Sequence, residues 1–128
     1  MIQRLEGHTG VIFDVRFISP QVIASVSDDR SIRVWTQKDG AYVQSRELYG
    51  HRSRVWAVRA TKDMLASVSE DATCKLWQKG SEKPFETLKG HTGNNVRALA
   101  TWQDEASDLV VTGGEDGAIK VWDINCMK

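Results

Sequence analysis

A segment that occurs three times places the strongest limit on how this chain can fold. In each copy an aspartate stands six residues before a tryptophan, and the copies span residues 29–35, 71–77 and 116–122. A Gly-His pair precedes each copy, and successive histidines are 43 and 40 residues apart. A self-similar period of that length predicts an array of stacked supersecondary units, each of which buries its apolar face against a neighbour.

Each repeat is a series of short runs typical of β-strands. Aromatic and β-branched residues are concentrated in these runs, and turn residues separate them. Nowhere does an apolar period of 3.6 residues persist over three helical turns, so the chain is predicted to be all-β. A strand-like segment is expected at 1–6 and a longer loop at 102–107. The other expected strands are 11–18, 22–27, 31–36, 42–49, 54–60, 64–69, 73–78, 84–88, 95–101, 108–112 and 118–123.

Composition excludes several classes of function. The 17 basic and 17 acidic residues balance, which argues against a bulk electrostatic attraction to nucleic acid or membrane but leaves a local basic patch open. Cys74 and Cys126 have no Cys-x-x-Cys spacing and suit a reducing compartment. The start of the chain has no apolar signal core, and no run reaches the length of a membrane span. We therefore expect a cytoplasmic protein.

The spacing of four residue types extends the repeat. A Ser or Thr stands four residues before the Asp in every copy, between the Gly-His pair and the Trp. This pattern resembles the WD-repeat family of β-propellers and covers nearly the whole chain. The resemblance implies blades of four antiparallel strands, each held by a buried, hydrogen-bonded tetrad of His, Ser or Thr, Asp and Trp. The three tetrads would be His8, Ser25, Asp29 and Trp35; His51, Ser67, Asp71 and Trp77; and His91, Thr112, Asp116 and Trp122.

The chemistry of such a tetrad favours architecture over catalysis. The Trp N–H can donate to the hydroxyl, and a neutral His can relay the hydrogen bond to the Asp, so every buried polar atom has a partner. Ser, His and Asp are also the elements of a nucleophilic triad, but three equivalent copies and the lack of an exposed nucleophile turn argue against that interpretation. One His per repeat and isolated Cys residues argue against a metal site. We expect no catalytic residues, no metal ligands and no cofactor.

The resemblance also indicates where partners would bind. In the family, the rim of the central channel is lined by two positions early in the first strand of each blade and by the residue before the tetrad Asp. Arg and aromatic residues, which dominate interface energetics, occur among these positions. Alternatively, the rings pack between blades and the Arg residues form solvated ion pairs, Arg54 with Glu70 and Arg97 with Glu115. The predicted partner-binding face comprises Val11, Phe13, Asp28, Arg54, Trp56, Glu70, Asn95, Arg97 and Glu115.

Three short strings suggest one branch of the family. Residues 11–15, 53–58 and 95–99 resemble the WD-repeat protein six branch, whose members partner an FtsJ-like enzyme. That enzyme methylates the ribose 2′-OH of a tRNA anticodon-loop nucleotide. The resemblance implies a noncatalytic subunit that binds a tRNA ribose methyltransferase and contacts tRNA indirectly. The alternative is a WD-repeat adaptor without an RNA role, such as a ubiquitin-ligase substrate receptor or a signalling scaffold.

Three repeats are too few for a closed ring, because propellers use roughly four to eight blades. The expected division is an outer strand and first blade at 1–49, a second blade at 50–89 and a third blade, without its own outer strand, at 90–128. Three explanations follow: a segment of a longer propeller, a ring built from more than one chain, or an open arc with exposed sheet faces. Two copies would provide six blades.

Overall fold

The computed structural model describes residues 2–127 and shows, over that range, eleven strands in three antiparallel sheets. Consecutive strands are neighbours within each sheet. The first sheet contains β1 (Ile12–Ser19), β2 (Val22–Ser27), β3 (Ile32–Lys38) and β4 (Ala41–Leu48). The second contains β5 (Val55–Ala60), β6 (Met64–Ser69), β7 (Thr73–Gln78) and β8 (Glu86–Lys89). The third contains β9 (Val96–Gln103), β10 (Asp108–Gly114) and β11 (Ile119–Asp123). The predicted all-β, blade-like fold is confirmed.

The turn between the second and third strands of each sheet has the same backbone geometry. Arg30, Ala72 and Gly117 occupy equivalent positions with φ of 73°, 72° and 78°. This left-handed region costs a non-glycine residue on the order of 1–2 kcal/mol. In all three turns the preceding aspartate accepts a hydrogen bond from the N–H two residues further on, at 2.9 to 3.0 Å. The aspartate therefore holds a turn that only the third repeat builds with glycine.

The apolar core consists of two clusters, with the second sheet between them. Every residue of β6 is buried, because this strand contacts a cluster on each side. The cluster shared with the first sheet contains Ala24, Val26, Ile32, Val34, Leu48, Val55, Val58, Leu65 and Trp77. The cluster shared with the third sheet contains Ala57, Met64, Ala66, Val68, Cys74, Leu76, Leu88, Val96, Leu99, Val110 and Ile124.

Polar bonds fix the first sheet against the second. A carboxylate oxygen of Asp14 accepts from the Arg59 guanidinium at 2.7 Å and from the Val58 N–H at 3.2 Å. Arg46 donates to the backbone oxygen of Gln78 at 2.8 Å. These bonds join strands that are far apart in sequence and so define the packing of the two sheets.

The outer faces of the first and third sheets remain apolar and exposed. Val15 and Phe17 on β1 are 55% and 70% exposed, and Ile119 and Val121 on β11 are 78% and 64% exposed. Among the described residues, no core cluster joins the first sheet to the third. The three sheets therefore form an arc with two free apolar faces.

Two terminal segments differ from the expectation. Residues 2–6 form no strand, and Met1 lies outside the described residues. The side-chain amide of Gln3 instead bonds both backbone groups of Tyr42, at 2.7 and 2.9 Å, where a strand would have paired with β4. Residues Ile124–Met127 form a 3-10 helix, too short to leave a periodic pattern in the sequence. Within residues 2–127, no helix combines the length and apolar character needed to cross a membrane.

One predicted loop is also shorter than expected. β9 continues to Gln103, which pairs with Asp108 on β10, so the connection occupies 104–107 rather than 102–107. Asp104 closes this turn by accepting hydrogen bonds from the N–H groups of Ala106 and Ser107, at 2.9 and 2.7 Å. The loop therefore begins where its aspartate can bond to the backbone and not at the aromatic Trp102.

Candidate functional site

The second sheet contains a fully connected network of buried polar side chains. His51 bonds the Asp71 carboxylate through Nδ1 at 2.9 Å and the Ser67 hydroxyl through Nε2 at 2.7 Å. The Trp77 indole N–H donates to the same hydroxyl at 2.9 Å. A neutral imidazole satisfies this arrangement, since it donates from Nδ1 and accepts at Nε2. The chain of bonds therefore runs from the Trp to the Ser, the His and the Asp.

The same network occurs in the other two sheets. In the first sheet the three equivalent distances are 2.9, 2.7 and 2.9 Å, and in the third they are 3.0, 2.8 and 3.0 Å. The structure thus brings together all twelve residues expected from the sequence: His8, Ser25, Asp29, Trp35, His51, Ser67, Asp71, Trp77, His91, Thr112, Asp116 and Trp122.

A tryptophan ring lies against the glycine that precedes each histidine. A side chain at Gly50 would place its Cβ 2.9 Å from Cη2 of Trp77. The corresponding distances are 3.3 Å between Gly7 and Trp35 and 3.1 Å between Gly90 and Trp122. Real Cβ atoms essentially never come as close as 2.9 Å. The glycine of each Gly-His pair therefore leaves room for the Trp ring next to the histidine.

Ionised aspartates anchor the networks. Burial disfavours the charge of Asp29, but hydrogen bonds from Ser31, His8 and the Thr9 N–H outweigh it and lower its pKa from 3.8 to about 2. The pKa of Asp71 is lowered in the same way, since bonds from His51 and its neighbours exceed the cost of burial. Burial in turn lowers the pKa of His51 below 6.5, which favours the neutral imidazole.

Sequence reasoning missed one member of these networks. The hydroxyl of Ser31 donates to Asp29 at 2.6 Å and lies 3.1 Å from Nδ1 of His8, and Thr73 occupies the same place in the second sheet. The signal was present, because a hydroxyl residue stands two positions after the Asp in these two repeats. In the third repeat Ala118 takes that position. The third aspartate therefore lacks the hydroxyl bond, and Nδ1 of His91 lies 3.0 Å from both of its carboxylate oxygens instead.

The buried position of Ser67 argues against its being a catalytic nucleophile. Ser67 has no exposed surface, and its oxygen already bonds Trp77 and His51. A nucleophilic serine must instead present its oxygen to a substrate and to oxyanion donors. The geometry of this network fits a structural bond set. Over residues 2–127, no group of three or more His, Cys, Asp or Glu side chains is placed to hold a metal ion.

A second cluster, centred on Trp56, lies where β1, β5 and β9 begin. The Phe13 ring lies 4.8 Å from the Trp56 ring, centroid to centroid, at an interplanar angle of 51°. The Arg97 guanidinium carbon lies 3.8 Å from the centroid of the Trp56 ring, and that of Arg54 lies 5.7 Å from it. The indole N–H donates to the Asn95 side-chain oxygen at 2.7 Å. Trp56 is thus contacted by two cations, one ring and one amide.

Acidic residues surround this cluster. Arg54 forms ion pairs with Asp28 at 3.1 Å and with Glu70 at 3.6 Å, and the pairs are partly exposed. The alternative pair of Arg97 with Glu115 is not formed, because Arg97 stacks on Trp56 and the Asn95 amide bonds Glu115 instead. Of the two ion pairs considered as the alternative, only that of Arg54 with Glu70 is therefore present.

A backbone bond joins the loops of the second and third sheets, and the ion pair of Arg54 with Asp28 joins those of the first and second, so that the loops form one surface. The Glu70 oxygen accepts from the Asn95 N–H at 3.1 Å, and the Asn95 oxygen accepts from the Glu115 N–H at 3.1 Å. In the first sheet the Asp28 N–H donates to the Val11 oxygen at 2.9 Å. We call this surface the Trp56 face. It contains the nine residues expected from the sequence: Val11, Phe13, Asp28, Arg54, Trp56, Glu70, Asn95, Arg97 and Glu115. Ser53, which donates to Glu70 at 2.7 Å, was not anticipated.

Comparison with known proteins agrees with the repeat geometry. The family model "WD domain, G-beta repeat" matches residues 1–36, 42–78 and 82–123. The chain belongs to the WD40 repeat family. The predicted family is thereby confirmed.

Several individual relatives can be compared with the chain. The chain is 38% identical over 126 residues to the tRNA (34-2'-O)-methyltransferase regulator WDR6 of Mus musculus and 36% identical to that of Homo sapiens. Each alignment covers 94% of this chain and 11% of the relative. The nuclear distribution protein PAC1 of Arthroderma benhamiae is 32% identical over 134 residues, which cover 94% of this chain and 28% of that relative. The chain therefore spans only a small part of the length of these relatives.

Proposed function

We propose that this WD40 chain is a noncatalytic scaffold that binds a partner protein on the Trp56 face, and that the partner is a tRNA ribose methyltransferase. The similarity to the tRNA (34-2'-O)-methyltransferase regulator WDR6 supports this choice, because it extends over 94% of the chain. The partner would supply the chemistry of 2′-O-methylation. The chain would act in the cytoplasm by positioning the enzyme and, indirectly, the tRNA.

The observation that carries the proposal is the stacked arrangement around Trp56. Trp and Arg are the residue types most enriched at interface hot spots. Here Trp56 is partly exposed, Phe13 is 37% exposed, and Arg97 is exposed on the ring of Trp56. Neighbouring side chains already hold the indole in place, so Trp56 would lose little side-chain entropy when a partner binds to it.

A generic WD40 adaptor without an RNA role is the second candidate. The similarity to the nuclear distribution protein PAC1, at 32% identity over 94% of the chain, supports it. A ubiquitin-ligase substrate receptor or a signalling scaffold would use the Trp56 face in the same way. The two candidates therefore differ in the partner and not in the surface.

Capture of a methyltransferase tests the proposal. The chain is immobilised and the tRNA 34 ribose 2′-O-methyltransferase of the same organism is titrated over it, with Trp56→Ala as the test variant. We expect Trp56→Ala to weaken binding at least tenfold, as at an interface hot spot worth about 2 kcal/mol. Trp102→Ala is the matched control, because Trp102 is an exposed tryptophan outside the Trp56 face.

Two results would contradict the proposal. If the unsubstituted chain captures no ribose methyltransferase, the adaptor candidate replaces it. If the methyltransferase binds but Trp56→Ala and Trp102→Ala behave alike, the partner is right and the assigned surface is wrong.

A further inference from the structure

A groove on the second sheet brings three cationic side chains together. It encloses a cavity of about 420 Å³ over β7 and β8. Cross-strand pairing places Thr73 opposite Lys89 and Lys75 opposite Thr87, so the four side chains share one face of the sheet. Arg52, in the loop before β5, also lines the cavity. We call this the β7–β8 groove, defined by Arg52, Thr73, Lys75, Thr87 and Lys89.

The positive charge of the groove is left uncompensated by ion pairs. Among residues 2–127, none of the three cations forms an ion pair; Lys75 instead donates to the Thr87 hydroxyl at 2.9 Å. Burial, partly opposed by Asp71, lowers the pKa of Lys75, and the charges of Lys89 and Arg52 add to the decrease. The one carboxylate in the lining, Asp71, is already bonded within its tetrad. An anion among the three cations would relieve their repulsion.

The first sheet provides an internal comparison, because the same positions carry different chemistry there. Arg33 stands where the second sheet has Lys75, four residues after the tetrad aspartate. Arg33 is paired with Glu47 at 3.2 Å and bonded to Gln44 at 2.7 Å. Tyr49, which bonds Glu47, stands where the second sheet has Lys89. The first sheet thus neutralises its cation, and the second gathers cations instead.

The residue after the Gly-His pair also gives the second repeat a cation that the other two repeats lack. Thr9 and Thr92 take this position in the first and third repeats, whereas the second repeat has Arg52. The cationic side chain after Gly-His, the lysine opposite a threonine and the terminal lysine of the fourth strand occur together only in the second repeat. Three independent positions of one repeat therefore converge on the same charge and the same cavity.

The lining indicates the class of ligand. Three cations and two hydroxyl groups are the donors that bind phosphate oxygens. The cavity has no apolar side chain larger than that of Ala72, so it offers no pocket for the apolar side chains of a peptide. A ligand with phosphates along an extended polar backbone fits this lining better than a phosphorylated peptide does. Such a backbone is that of a nucleic acid.

We propose that the β7–β8 groove binds the phosphodiester backbone of RNA. The inference rests on the proposed function for the choice of RNA over other phosphate carriers. Arg52 also lines the depression bounded by Glu70 and Asn95, two residues of the Trp56 face. RNA in the groove would therefore lie beside a partner enzyme on that face, and the chain would contact tRNA directly rather than through the enzyme alone.

Salt-dependent RNA binding tests the groove. The 128-residue protein is titrated into a fluorescein-labelled RNA hairpin with an anticodon-like loop, and fluorescence anisotropy is followed at several salt concentrations. The test variant carries Lys75→Gln and Lys89→Glu. We expect its affinity to fall at least about tenfold and the slope of log K against log salt to decrease by about 2, one for each lost phosphate contact. Circular dichroism melting shows that the variant is folded.

A matched variant with the same change in charge controls for bulk electrostatics. Lys38→Glu with Lys83→Gln replaces two exposed lysines outside the groove, and we expect its affinity to stay within about twofold of the unsubstituted protein. Equal losses in the two variants would overturn the proposal, as would RNA binding that both leave unchanged. Displacement of the RNA by a phosphorylated peptide at a lower concentration than by unlabelled RNA would also overturn it.

The RNA-binding proposal and the proposed function can be contradicted separately. RNA binding that depends on Lys75 and Lys89, without capture of a methyltransferase, would support the groove and contradict the proposed partner. Capture of the methyltransferase through Trp56, with RNA binding indifferent to the two lysines, would support the partner and overturn the groove.

Discussion

Two tryptophans of the second sheet have opposite environments. Trp77, on β7, is 1% exposed and donates its N–H to a serine that is itself fully buried. Trp56, on β5, is partly exposed, donates to Asn95 and lies under the guanidinium of Arg97. The same side chain therefore belongs to a closed bond network in one place and to an open surface in the other.

The difference between them indicates how each tryptophan contributes. Each polar partner of Trp77 is bonded within the network, so its loss leaves buried groups without partners and destabilises the fold. The partners of Trp56 keep their contact with solvent, so they can be resolvated when the ring is lost, and the cost appears chiefly in recognition. Measurements of stability and of binding should separate the two tryptophans.

The largest expected effect is that of removing the buried ring. Trp77→Ala should lower the free energy of unfolding by about 3–5 kcal/mol, because it leaves a cavity and removes the N–H that donates to the buried Ser67 hydroxyl. Trp77→Phe retains most of the ring and should cost about 1–3 kcal/mol. Trp56→Ala is the comparison, and denaturant unfolding measures all three. If Trp56→Ala lowered the free energy of unfolding as much as Trp77→Ala does, Trp56 would be a structural residue like Trp77.

The tetrads could be foreseen because they depend on local spacing. In every repeat the hydroxyl residue stands four positions before the Asp and the Asp six before the Trp, so the Trp meets the same neighbours in each sheet. The Trp56 face could be foreseen in membership but not in contacts. Asn95 adopts a φ of 62° and its amide bonds both Trp56 and Glu115, which leaves Arg97 free to stack. No spacing in the sequence encodes that choice.

The β7–β8 groove was missed for a different reason. Lys75 and Lys89 are 14 positions apart in the chain, and only the register of β7 against β8 places their side chains on one face. A shift of one residue would move one of them to the opposite face. The strand bounds alone, which were predicted to within a few residues, do not specify that register. The formal net charge of zero also gives no indication of the local cluster of cations in the groove.

Acid should destabilise the buried networks. The pKa of Asp29 is about 2 in the folded protein and near 3.8 in the unfolded chain, so the unfolded state binds more protons between these values. Stability present above pH 3.8 is therefore lost as the pH falls toward 2, by up to about 1.4 kcal/mol per pH unit for this carboxylate. Asp71 acts in the same direction.

Urea unfolding at successive pH values measures this loss. Asp29→Asn should make the free energy of unfolding depend less steeply on pH, by the contribution of one carboxylate. Asp39→Asn, at an exposed turn, is the control with the same chemical change. An unchanged slope in Asp29→Asn would show that its carboxylate titrates alike in the folded and unfolded states.

The smallest expected effect concerns the ion pairs of the Trp56 face. The side chain of Arg54 is 43% exposed, and that of Asp28, 3.1 Å away, is equally exposed. Solvent and salt screen such a pair, so Arg54→Gln should lower the free energy of unfolding by less than about 1 kcal/mol, and by less still at high salt. Unfolding of both proteins at low and high salt measures the difference. A larger loss that persists at high salt would mean that Arg54 stabilises the fold through its packing on Trp56, and the Trp56 face would then be as structural as the tetrads.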